Sequence, residues 1–188
     1  MLLSEMIETV NGLVDDVADN TDIIIWLNEG KNEMAVEAEA RFPSLTISDI
    51  GKSFAFDDRF HMGPVYYAAS KYKEQDSSLD EAVNFYNQFD LLKKNFALKA
   101  DIAPQFREGS NVQHFTAALG QTDFIITKES YSPRYGDVKV YVNGVPTYAF
   151  TTMDNTITLP SLTTGDMVSC IWEEHADMVE SPYNWWKW

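Results

Sequence analysis

The stretch His61–Ala97, HMGPVYYAASKYKEQDSSLDEAVNFYNQFDLLKKNFA, leaves the chain few ways to fold. His61, Val65, Ala68 and Tyr72 recur at steps of four, three and four, which is one face of an α-helix. Ala82, Phe85, Phe89, Leu92 and Phe96 repeat at steps of three, four, three and four. The connection between them is short and polar, so the two helices must lie antiparallel with their aromatic faces together. Ser78 and Glu81 have the spacing of a capping box at the start of the second helix. Everything else has to pack on that pair.

Upstream, Leu3, Ile7, Val10, Val14 and Val17 mark an amphipathic helix over residues 2–19, slightly weakened by Gly12. Asn20-Thr21-Asp22 reads as a stop followed by an N-cap. A second helix then buries Ile23, Leu27, Met34 and Ala38, with Gly30 allowing a close helix approach, and ends at Phe42-Pro43. Its run Ile23–Leu27 is apolar all round, so it must be covered on more than one side. The chain's own core is the simpler cover. A neighbouring subunit is the other, and Ile24, Ile25, Trp26 and Leu27 are then the contact residues. Residues 43–56 read as a loop with a short extended piece at Leu45–Ile47, pinned by Phe54 and Phe56. The third helix starts near Asp57 or Asp58 and is kinked by Gly63-Pro64; a start at Pro64 itself is the alternative.

After Ala100 the texture changes. Residues 101–112 carry Pro104 and Gly109 with no period, a linker. From Gln113 the pattern is β, with strands expected from Phe115, over Thr122–Thr127, Asp137–Val142, Val145–Phe150, Thr156–Leu159 and Met167–Trp172. Asn143-Gly144 is a strong hairpin signal, since both positions of that turn need positive φ. The expected fold is α+β and segregated: an N-terminal four-helix bundle (1–100), the linker (101–112), a small antiparallel β-sandwich (113–174) and an aromatic C-terminal tail (175–188). Tyr183, Trp185, Trp186 and Trp188 crowd that tail. Such residues anchor interfaces, so docking on a neighbour or partner is favoured over folding back on the sandwich.

The net charge is −15, and its placement matters more than its size. Residues 1–40 hold ten acids against the single base Lys31, a balance of −9. Such a surface repels phosphate, which argues against tight DNA binding. Simple solubility accounts for it, and so does a wall past which DNA slides without sticking. No apolar run reaches a membrane span, and MLLSEMIETV lacks the basic start of a signal peptide. The lone Cys170 excludes an intramolecular disulfide and is expected to pack as a small hydrophobe, in keeping with folding inside a cell.

No catalytic constellation is legible. His61, His114 and His175 lie in different elements without metal-ligand spacing. Glu173, Glu174, His175 and Asp177 are expected to form a solvated turn, and Asp137 and Asp154 to form turns. Cys170 has no basic neighbour to activate it. There is no phosphate-binding glycine loop. The sequence points to no catalytic residues, no metal and no cofactor.

Residue order adds a resemblance. Trp26-Leu27-Asn28-Glu29-Gly30, then P-V-Y-Y-A-A-x-x-Y-K-E, an acidic turn and D-E-A-x-x-F resemble the head-to-tail adaptor, or head-completion, proteins of tailed bacteriophages over roughly the first hundred residues. F-T-A-x-x-G-Q-T-x-F, V-x-V-Y-V-N-G-V and T-I-T-L…G-D-x-V resemble a compact β-domain of phage fibre and neck proteins. The resemblance implies a structural virion protein, assembled in the host cytoplasm. It would form a homo-oligomeric ring, commonly dodecameric in that family, below the portal protein. Such a ring extends the DNA channel and docks tail, stopper or collar-fibre components, with no membrane involved. On that reading Asp15, Asp16, Asp19, Glu29 and Glu33 line the channel, and Tyr183, Trp185, Trp186 and Trp188 bind a partner. The alternative is a binding module whose β-domain anchors a fibre or stacks host glycan on Tyr141, Tyr148 or Trp172.

Overall fold

A computed structural model describes residues 1–109, 111–128 and 138–172. Four helices come first: α1 (Leu3–Val14), α2 (Asn20–Glu37), α3 (Met62–Gln75) and α4 (Leu79–Lys99). Antiparallel strands follow: β1 (Val112–Thr116), β2 (Asp123–Ile125), β3 (Lys139–Val142), β4 (Val145–Thr147), β5 (Thr151–Met153), β6 (Thr156–Thr158) and β7 (Met167–Ile171). The fold is α+β with helices and strands segregated, as the sequence pattern requires. Among the described residues there is one strand more than expected, because the segment from Val145 stops at Thr147 and Thr151–Met153 pairs separately with β6.

The α3–α4 hairpin is the hub. Val65, Ala68, Phe89 and Phe96 are fully buried, and Tyr67 meets Phe89 edge-on with ring centroids 5.1 Å apart. Phe96 gathers Phe42, Phe56 and Phe60 around it at 5.2–6.1 Å. Edge-to-face packing of this kind suits the aromatic quadrupole. The anticipated close approach at Gly30 is present. A Cβ there would lie 2.7 Å from the Tyr67 Cβ and 3.1 Å from the Pro64 Cα, so α2 crosses α3 where only glycine fits.

Several helix ends differ from the sequence expectation, each for a local reason. Asp15 adopts a left-handed φ of 55°, so α1 stops at Val14 and Val17 is 86% exposed. Asp19 caps α2, its carboxylate accepting the Thr21 amide at 2.7 Å. Glu39, with φ 48°, ends α2 before Phe42-Pro43. Pro64 is the third residue of α3, inside the first turn, where amides lack an intrahelical partner; no kink is needed. A short 3-10 turn at Asp58–Phe60, capped by Asp57, leads into it. Ser78 makes no side-chain cap, and Glu81 instead pairs with Lys73 at 2.7 Å. A 3-10 turn at Ile47–Asp49 replaces the extended piece expected beside Leu45.

The strands form two sheets, in the orders β1-β7-β3-β4 and β2-β6-β5. Phe124 and Ile157 of the smaller sheet share one buried cluster with Val140, Val168 and Cys170 of the larger. The larger sheet also turns its other face to the helices. Met167 joins the helical core, and Arg41 Nη2 donates to Thr116 Oγ1 at 2.8 Å. Period-two alternation along β7 therefore buries Met167 and Ser169 on one side and Val168 and Cys170 on the other. Asn143-Gly144 closes the β3–β4 hairpin with φ 50° and 81°.

Residues 101–109 do not behave as a free spacer. Ile102 and Phe106 are buried in the helical core. The Arg41 amide donates to the Phe106 carbonyl at 2.6 Å and the Glu108 amide to the Glu39 carbonyl at 2.8 Å. The segment is stitched to the chain leaving α2.

Candidate interaction surfaces

The acidic N-terminal third has a consistent outward face. Glu5, Glu8, Asp15, Asp16, Asp19, Asp22 and Glu29 are all exposed. Asp16 accepts the Tyr72 hydroxyl, which holds its carboxyl below the usual range, and the Thr21 amide does the same for Asp19. Glu33 is turned partly inward, 3.7 Å from Lys93. Of the five acids expected to line a channel, Asp15, Asp16, Asp19 and Glu29 are open to solvent and Glu33 is half-buried.

The only basic side chain of residues 1–40 is missing from that face. Lys31 is 1% exposed. Its ammonium donates to the carbonyls of Phe42 at 3.0 Å and Pro43 at 3.3 Å and to the Ser44 hydroxyl at 3.2 Å. Three donors thus find three acceptors, none of them charged. Burial, and then the nearby Arg41, push its pKa down to about 8. Sequence counting took Lys31 only as the one base in a charge balance; its position four residues after Leu27 and three before Met34, on the buried stripe of α2, was the signal that it is covered.

Ile24, Trp26 and Leu27, considered for a subunit contact, are buried in the chain's own core; Ile25 is 49% exposed. The larger apolar surface lies elsewhere and was not anticipated. Leu79, Val83, Tyr86, Leu91 and Leu98 of α4 are all exposed. The sequence reading followed the buried aromatic row of this helix and passed over the second row. A notch of about 240 Å³ opens on this face, lined by Glu74, Leu79, Ala82, Val83 and Tyr86.

In the β-domain, Trp172 is 2% exposed and Tyr141 half-buried, which removes Trp172 as a stacking platform and leaves Tyr148 as the exposed one of the three. His114 faces the Ser169 hydroxyl through Nδ1 at 2.9 Å and the Arg107 carbonyl through Nε2 at 3.1 Å. Its Nε2–H donates to the carbonyl, so Nδ1 accepts from Ser169. Ser169 has no exposed surface, and the pair ties β1 to β7. His61 is also fully buried, its Nε2 bonded to the Phe56 carbonyl at 2.9 Å. Burial raises the Cys170 thiol to about 12. Among the described residues no group of three or more His, Cys, Asp or Glu could hold a metal ion, and no helix is long and apolar enough to cross a membrane. Asp137, Glu173, Glu174, His175, Asp177 and the aromatic Tyr183, Trp185, Trp186 and Trp188 lie outside the described residues. Compared with protein-family models, curated proteins and solved structures, the chain has no match.

Proposed function

We propose that this chain is a structural protein of a tailed-phage neck, a head-to-tail adaptor whose copies form a ring below the portal and extend the DNA channel. The observation that carries the reading is the uniform sign of the surface built by residues 1–40. Nine of its ten acids stand outward, with Glu33 half-buried, and its single Lys/Arg side chain is withdrawn into the core. A strongly hydrated, anionic wall repels the DNA backbone and lets a duplex pass without being held. The β-domain and the aromatic tail are the parts offered to tail, stopper or collar proteins. Negative-stain imaging of the purified protein, alone and mixed with its portal, tests this. Rings seated on the portal support the reading; unchanged portals beside free protein at saturating concentration overturn it.

A further inference from the structure

The outward face of α4 carries a row of exposed apolar side chains. At 100° per residue, Leu79, Val83, Tyr86, Leu91 and Leu98 fall within an arc of about 140° that runs the length of the helix. Five exposed apolar side chains on one face of a 21-residue helix make a patch of the kind that marks an interaction site. Leu79 with Leu98 and Tyr86 with Leu91 share one midpoint, between Gln88 and Phe89 and half a residue from the helix centre, while the counterpart of Val83 is Lys94. Two such helices laid antiparallel bring Leu98 of each copy opposite Leu79 of the other. Leu98 is 81% exposed, a free knob, and beside Leu79 lies the notch of about 240 Å³ between the end of α3 and the start of α4. Knob and hole exchange places under a two-fold axis, which is the condition for a self-complementary interface.

Charge adds a second match, with Lys94 of one copy falling opposite Val83 of the other, one helical turn from Asp80. Asp80 lies in the first turn of α4 and has no ion-pair partner among the described residues. Lys94, 66% exposed, lies toward the other end of the same face, where it bonds Asp90 at 2.6 Å. In the antiparallel pair Asp80 of each copy comes within reach of Lys94 of the other. The α4 face thus carries both halves of the match on one surface, in a chain whose net charge of −15 otherwise drives copies apart.

We infer that the occupant of this face is a second copy of the chain, giving a two-fold dimer through antiparallel α4 helices. One helix width is a small interface, so the dimer is a concentration-dependent one. The inference does not rest on the adaptor reading: a chain that pairs but never binds a portal loses that reading alone, and a portal-bound ring of chains that stay monomeric in solution loses this one alone.

Sedimentation velocity of the full chain over a wide concentration range is the test. The expected result is a monomer–dimer equilibrium, weakened about a hundredfold by Leu98→Glu and unchanged by Val145→Glu, an exposed apolar site on β4. Asp80→Lys and Lys94→Asp each weaken self-pairing, and an equimolar mixture of the two variants pairs again, because each copy then meets the opposite charge. Circular dichroism confirms that the variants are folded, which their exposed positions favour. A monomer at every concentration overturns the inference. So does an assembly indifferent to Leu98→Glu, or a mixture of the two charge variants that stays apart.

Discussion

The side chain of Phe106 occupies the space a Cβ on Gly144 would need, and the same aromatic ring lies 5.1 Å from Phe42. One residue from the supposed linker therefore keys the β3–β4 hairpin to the helical core. Gly144→Ala meets that ring and must also hold a φ of 81° with a side chain. It is expected to destabilise by about 3 kcal/mol, and Phe106→Ala by a similar amount through the cavity it leaves. Because the two residues share one contact, the double variant should lose clearly less than the sum, measured as a double-mutant cycle in urea.

Lys31 gives the protein a pH signature. Its pKa falls from 10.5 when unfolded to about 8 when buried, so above pH 8 the folded state sheds a proton that the unfolded chain still holds. Between pH 8 and 10.5 the unfolded state binds more protons, and stability rises with pH through that window. The full gain is roughly 3 kcal/mol relative to neutral pH. Lys31→Met removes this rise. Unfolding free energies of the two proteins, subtracted at each pH, isolate it from other titrating groups.

Two helical glycines should respond in opposite directions to the same substitution. Gly12 has nothing within 4 Å of a built Cβ, so Gly12→Ala gains helix propensity, about 0.8 kcal/mol. Gly30→Ala gains as much propensity but drives a methyl into Tyr67 at 2.7 Å and is expected to lose about 2 kcal/mol net. Thermal melts that move the same way for both would contradict the close α2–α3 crossing.

Caps make a similar pair. Asp19→Ala removes the bond to the Thr21 amide and should cost about 1 kcal/mol. Ser78→Ala removes no cap bond and should stay within about 0.5 kcal/mol of the parent. Denaturant midpoints decide between this and the capping box that the sequence spacing suggests.

The acidic face can be inverted without touching the core. Replacing Glu8, Asp15, Asp22, Glu29, Glu37 and Glu39, all exposed, by lysine moves residues 1–40 from a balance of −9 to +3 and shifts the net charge by twelve units toward zero. Electrophoretic mobility shift at low salt should then show duplex retention that the parent lacks and that fades as salt is raised. A reversed variant that still ignores DNA would remove the reason for assigning this face to a channel.

Helix pairing, the sheet class and the Asn143-Gly144 hairpin were legible because each rests on local periodicity or on a turn with one chemical solution. Helix ends were less so. Asp15 and Glu39 take left-handed φ values that nothing in their neighbours demands, and tertiary packing decides there. The surfaces were read least well. Exposure of Leu98 and burial of Lys31 depend on which neighbours cover a helix, and a single-chain pattern gives the period of a face but not how many faces are covered. The segment from Asp101 to Gly109 lacks any period because 3-10 turns and single bridges have none, although Ile102 and Phe106 were visible as apolar residues needing cover.

The place of β7 has a consequence for biosynthesis. β1 pairs with β7 across fifty intervening residues, and β7 also pairs with β3 and sends Met167 into the helical layer. As the polypeptide leaves the ribosome the helices can condense early, from contacts close in sequence. β1 and β3 must wait, with their edges bare, until the strand that belongs between them has been made. During that interval the unfinished domain is a target for chaperones and for mispairing between neighbouring nascent chains. A stop codon ahead of Met167 would thus leave a folded helical half carrying an adhesive remnant.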